Sequence, residues 1–108
     1  MSSFRAFELI PSILTSLETE GFDTPTEIQG RALPALLRGE SVVGVAETGS
    51  GKTLTYALPV LQRMKQMETD GDPVQDGGRP RAVVLVPSSD LGDQVAKVFK
   101  SYTHETRL

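Results

Sequence analysis

The sequence predicts an α/β fold built on a parallel sheet. Two observations predict it. Apolar patterns of helical and strand type follow one another along 108 residues in the order helix, helix, strand, helix, strand, helix. A glycine-rich turn, Ala46-Glu47-Thr48-Gly49-Ser50-Gly51-Lys52-Thr53, joins the first strand to the helix after it.

Residues 11–20 form the first helix. Ile13, Leu14 and Leu17 share a face, Pro11 is tolerated in the first turn, and Gly21 supplies the stop. The second helix opens on Thr24-Pro25-Thr26-Glu27. Thr24 is expected to accept from free N–H groups, Pro25 to take the first helical position, and Glu27 to reach back to the Thr24 N–H. Loss of that cap would cost about 0.5–2 kcal/mol. Ile28, Ala32, Leu33 and Leu36 continue the apolar face. Pro34 is expected to divide it into two short pieces ending near Gly39.

Val42-Val43-Gly44-Val45 reads as a short buried strand. After the turn, Leu54, Ala57, Leu58, Leu61 and Met64 recur at helical spacing, with Pro59 inside as an expected kink. Met64 and Met67 read as packing or surface residues. Residues 68–80 are a polar loop rich in turn formers. Residues 81–86 (Arg-Ala-Val-Val-Leu-Val) form the clearest strand, ended by Pro87. Leu91, Val95, Val98, Phe99 and Tyr102 mark a last helix.

Composition limits the function classes. Hydrophobic content of 38% with 23% charged residues fits a globular chain. The net charge of −3 gives no overall electrostatic footprint for nucleic acid, so such binding needs a local patch. Cysteine is absent, which excludes disulfides and thiolate metal sites. His104 stands alone and reads as a solvated imidazole. The longest apolar run, 82–86, is far too short to span a membrane, and a cytoplasmic setting is expected.

The turn at 46–53 carries the chemistry. It fits a phosphate-binding loop with Ala46 in the first position. The glycines let backbone N–H groups face a chain of phosphates, Lys52 reaches the outer ones, and the Thr53 hydroxyl suits a Mg²⁺ ion. Two strands do not complete a parallel sheet. The later strand ends in Pro87, not in an acidic residue that would hold Mg²⁺. The chain therefore reads as the N-terminal part of a larger protein, with Met1 its start.

Further residues carry a family resemblance. Gly21-Phe22-Asp23-Thr24-Pro25-Thr26-Glu27-Ile28-Gln29 resembles the Q motif of DEAD-box RNA helicases, and Phe4 stands seventeen positions before it, where that family has an isolated aromatic. The phosphate loop is similar to the family's Ala-Gln-Thr-Gly-Ser-Gly-Lys-Thr, with Glu47 in place of glutamine. Pro87-Ser88-Ser89-Asp90-Leu91-Gly92-Asp93-Gln94 resembles motif Ia, with Ser89 in place of an arginine and Gly92 of an alanine.

The resemblance implies a RecA-like phosphate-loop domain with parallel strands. Residues 1–40 would be its helical Q-motif extension, and 41–108 the first part of helicase domain 1, ending before motif II. It implies ATP with Mg²⁺ as cofactors and RNA as partner of the whole protein. Gln29 would read adenine through its amide, Phe4 would stack on the base, and Thr24 would offer its backbone carbonyl to the adenine amine. Ala46, Glu47, Thr48, Gly49, Ser50, Gly51, Lys52 and Thr53 would cradle the phosphates, with Lys52 and Thr53 catalytic and Thr53 on the metal. Pro87, Ser88 and Ser89 would lie on the RNA face, where Ser89 lacks the guanidinium fork that suits phosphate.

Under this reading the 108 residues bind adenine nucleotide and do not turn it over alone. Two other readings stay open. One is a degenerate helicase-like module that binds nucleotide without unwinding, which Ser89 and Gly92 favour. The other is another phosphate-loop enzyme, such as a small-molecule kinase or GTPase, which leaves Phe4 and Gln29 without a role.

Overall fold

The structure is a computed structural model that describes residues 4–46, 51–71 and 82–106, with side chains as far as Tyr102. The expectations on Glu47, Thr48, Gly49 and Ser50, on most of the 68–80 loop, and on the His104 side chain lie outside the described residues.

A short 3₁₀ turn at Phe4–Phe7 leads into four helices: α1 Pro11–Thr19, α2 Glu27–Leu37, α3 Lys52–Thr69 and α4 Ser89–Thr106. α3 is central, packing on α2 and on α4, while α1 packs on α4. Phe4, Leu9, Ile13, Leu17, Leu33, Leu54, Leu58, Leu61 and Tyr102 form one buried core drawn from all of these elements. Val98 and Phe99 of α4 pack against it half-buried. Arg5 and Glu18 form an ion pair that ties the 3₁₀ turn to α1.

Gly21 ends α1 as expected. It takes φ 80°, the Gly21 N–H donates to the Glu18 carbonyl at 3.0 Å, and the Phe22 N–H donates to Leu17 at 2.9 Å. These two bonds make a Schellman stop, which a left-handed glycine permits.

The start of α2 differs from expectation. The N-cap is Thr26, not Thr24. Thr26 Oγ1 accepts from the Gln29 N–H at 3.4 Å, and Gln29 Oε1 accepts from the Thr26 N–H at 2.9 Å. Both Thr24-x-x-Glu27 and Thr26-x-x-Gln29 have capping-box spacing. The second buries a neutral amide, with Gln29 only 2% exposed. It leaves Glu27 in solvent, where it pairs with Arg31 at 2.9 Å. Burying a carboxylate instead would cost far more than burying an amide with partners.

Pro34 does not divide α2, which runs unbroken to Leu37. Its missing N–H frees the Gly30 carbonyl, and both Pro34 and Gly30 lie on the exposed face, where a carbonyl open to solvent costs little. α3 likewise continues through Pro59.

The two expected strands are not formed among the described residues. Residues 41–46 and 82–86 carry no ladder. Val43 is 95% and Leu85 91% exposed. A parallel sheet needs cover on both faces, and the four helices do not supply it to these runs. Exposure from Val83 to Val86 still alternates with period two (71, 39, 91 and 38%), as strand geometry would give. Val86 leans on α4: a Cβ added at Gly92 would lie 3.3 Å from Val86 Cγ2. Gly92 thus has a packing role.

Candidate functional site

The site assembles where the cap of α2 meets the start of α3. Gly51 is the last residue before α3 and takes φ 87°. Gln29 Nε2 donates to its carbonyl at 3.1 Å. The same carbonyl accepts from Thr55 Oγ1 at 3.0 Å and the Thr55 N–H at 3.3 Å. A Cβ built on Gly51 would stand 2.5 Å from Gln29 Nε2 and 3.0 Å from Thr26 Oγ1. Only glycine suits this position, on both backbone and steric grounds.

Gln29 is therefore held at both ends of its amide. Oε1 faces the Thr26 N–H and Nε2 faces Gly51. A primary amide has two donors and two acceptor lone pairs, and these two bonds use one of each.

Lys52 and Thr53 are the first two residues of α3, the lysine exposed and the threonine half-buried. The first turn of α3 has no acidic residue and no side-chain cap among the described residues. Its free N–H groups, the helix dipole and the Lys52 ammonium all favour an anion at this end. The Thr53 hydroxyl is a hard oxygen donor of the kind Mg²⁺ takes beside phosphate oxygens. The donor set fits a magnesium-bound polyphosphate.

Ala46, Gly51, Lys52 and Thr53 are the described residues of the expected loop. Ala46 is half-buried and Thr24 is exposed. Phe4 is buried at 3% exposure, its ring edge-on to Phe7 with centroids 6.2 Å apart at 61°. Phe7 is only half-buried, so Phe4 is the core aromatic of the two. The extra turn at Phe4–Phe7 folds Phe4 inward.

Pro87, Ser88 and Ser89 are all exposed at the start of α4. Ser88 Oγ accepts from the Leu91 N–H at 3.3 Å, a capping bond. Sequence reasoning missed Thr26, Thr55 and Gln62. The Thr-x-x-Gln spacing could have shown the first, while Thr55 and Gln62 carry no local signal.

Among the described residues, the one strongly shifted group lies in the core. Burial, and secondarily the charge of Glu20, raise the Tyr102 phenol well above its usual range. It belongs to the α1–α4 packing.

Comparison with known proteins follows the same residues. A family model described as DEAD/DEAH box helicase matches residues 26–108. The chain is 39% identical to "ATP-dependent RNA helicase DBP10" of Candida albicans over 98% of its own length and 11% of that protein's. It superposes on the RNA-helicase Prp28 from Chaetomium thermophilum bound to ADP with TM-score 0.80 and 28% identity, covering 97% of this chain and 24% of that one. For S. cerevisiae Dbp5 bound to RNA and ADP BeF3 the values are 0.78 and 29%, covering 97% and 25%. The chain thus spans no more than about a quarter of each of these proteins. Its structural neighbours are DEAD-box helicase RecA-like domains. The match over 26–108, which begins at the capping threonine and runs through Gln29, Lys52 and the start of α4, shows that the chain belongs to the DEAD/DEAH box helicase family.

Proposed function

We propose that the chain is the nucleotide-binding part of an ATP-dependent RNA helicase, binding ATP with Mg²⁺ at the junction of α2 and α3. The observation that carries this reading is the bond from Gln29 Nε2 to the Gly51 carbonyl. One amide sits between the cap of the Q-motif helix and the last glycine of the phosphate loop. Its remaining donor and acceptor match the N7 and exocyclic amine of adenine, a pairing guanine does not offer.

The residues then take these roles. Lys52 holds the outer phosphates and stabilises charge as it develops in phosphoryl transfer. Thr53 takes one place on Mg²⁺, and Ala46 through Gly51 wrap the phosphates. A rotation of the Phe4 side chain out of the core lays its ring on the base, and Thr24 offers its carbonyl to the adenine amine. The exposed runs 42–45 and 82–86 become parallel strands once neighbouring strands cover them. Pro87, Ser88 and Ser89 face RNA in the whole protein, which works in the cytoplasm. Among the described residues no helix is long and apolar enough to cross a membrane.

Competition binding tests this reading. ATP and ADP are expected to displace a labelled adenine nucleotide at concentrations where GTP does not. Equal displacement by GTP contradicts it. Residues 1–108 alone are expected to show no steady-state phosphate release, because they offer no acidic strand-end ligand for Mg²⁺.

A further inference from the structure

Gln62 lies in the third turn of α3, and its side chain is buried, with the residue only 8% exposed. Its amide is used at both ends. Oε1 accepts from the Ile10 N–H at 2.9 Å, and Nε2 donates to the Glu8 carbonyl at 3.4 Å. These partners lie 52 and 54 positions earlier in the chain.

Between the 3₁₀ turn and α1 the backbone passes through Glu8 at φ 57°, a left-handed conformation uncommon for a glutamate. A residue persists there when its surroundings over-determine it. Here Gln62 grips the carbonyl of Glu8 and the N–H of Ile10, on either side of the buried Leu9. A cleft of about 530 Å³ runs beside this grip, lined by Phe7, Glu8, Leu37 and Gln62 among others. Packing is therefore not continuous on that side, and the two hydrogen bonds add a polar attachment to the one that buried Phe4 and Leu9 make with the core.

We propose that Gln62 is a positioning residue for the nucleotide site, fixing the backbone of residues 4–10 on the helix whose first turn holds Lys52 and Thr53. An α-helix rises about 1.5 Å per residue, which puts the Gln62 grip about 15 Å along α3 from Lys52. One helix thus sets the distance between the phosphate-facing end and the segment that carries Phe4. The inference rests on the adenine-nucleotide reading above.

The test compares the full chain with Gln62→Leu and Gln62→Glu. Leucine fills similar space but leaves the Ile10 N–H and the Glu8 carbonyl without this partner. Glutamate keeps the acceptor for Ile10. Amide exchange at Ile10 is followed by NMR, and binding of ATP and of inorganic tripolyphosphate by calorimetry. Gln62→Leu should speed Ile10 exchange and weaken ATP binding by about three- to tenfold, the size expected for losing one or two net hydrogen bonds. Tripolyphosphate affinity should stay at the wild-type value. Gln62→Glu should restore Ile10 protection in part, and it carries the same comparison if Gln62→Leu does not fold.

Unchanged Ile10 exchange in Gln62→Leu overturns the grip. Equal losses for ATP and tripolyphosphate overturn the positioning role and leave a merely structural one. If the wild-type chain binds neither ligand, the nucleotide reading fails and takes the positioning role with it. The Ile10 exchange ratio still judges the grip, so the two failures are distinguishable.

Discussion

Gln29 Nε2 donates to the carbonyl of Gly51 across 3.1 Å, although the two residues lie 22 positions apart. This bond joins the cap of α2 to the start of α3. It makes the conformation of the phosphate-loop end depend on a side chain of the preceding helix, and several consequences can be measured.

Steric contact between these residues predicts strong coupling. Gly51→Ala should destabilise the chain by about 1–2 kcal/mol from left-handed backbone alone. The new Cβ, 2.5 Å from Gln29 Nε2, adds to that cost. Removing the obstructing amide should relieve part of it. In urea denaturation the double variant Gln29→Ala/Gly51→Ala is expected to lose less stability than the two single losses combined. Simple additivity would contradict the contact.

The cap makes a second prediction that separates two threonines. Thr26→Ala should cost about 0.5–2 kcal/mol, since it removes the side chain that accepts from Gln29. Thr24→Ala should stay within about 0.5 kcal/mol of wild type, because Thr24 is exposed and outside the cap. Denaturant midpoints for the two variants decide it. The reverse order would restore the cap that the sequence pattern favours at first sight.

The difference between those caps marks how far the sequence was legible. Helix positions were readable wherever local chemistry decides them. Pro11, Gly21 and the spacing of Ile13 and Leu17 give α1, and Leu54, Leu58 and Leu61 give α3. Competing local signals were not resolvable. Thr24 and Thr26 both open capping boxes, and the choice depended on Gly51, a residue distant in sequence. Pro34 leaves α2 whole, against expectation, because its effect depends on whether the freed carbonyl faces solvent. The runs 42–45 and 82–86 have strand composition, yet pairing is a property of their neighbours and not of the runs themselves. Within the candidate site, Gln29, Lys52 and Thr53 stand out from motif spacing. Thr55 and Gln62 were not, because their partners are backbone groups that no residue pattern names.

Alkaline pH supplies a third prediction. Burial raises the Tyr102 pKa in the folded chain, whereas the unfolded phenol titrates near pH 10. The folded state then holds the proton more tightly. This contribution is fully present below about pH 10 and is lost as pH rises above it. Thermal or urea unfolding between pH 8 and 11 should show stability falling on the alkaline side. In Tyr102→Phe that fall should flatten. An equally steep fall in the variant would assign it to other groups.

The central claim is that the Gln29 amide reads an adenine while it braces the phosphate loop. The most direct measurement is the side-chain amide resonance of Gln29 in ¹⁵N-labelled chain, followed during titration with MgADP and, separately, MgGDP. The account predicts a saturable shift of the Gln29 Nε2 protons with ADP and little change with GDP at the same concentrations. Equal shifts with both nucleotides, or a resonance unmoved by ADP that demonstrably binds, would contradict it.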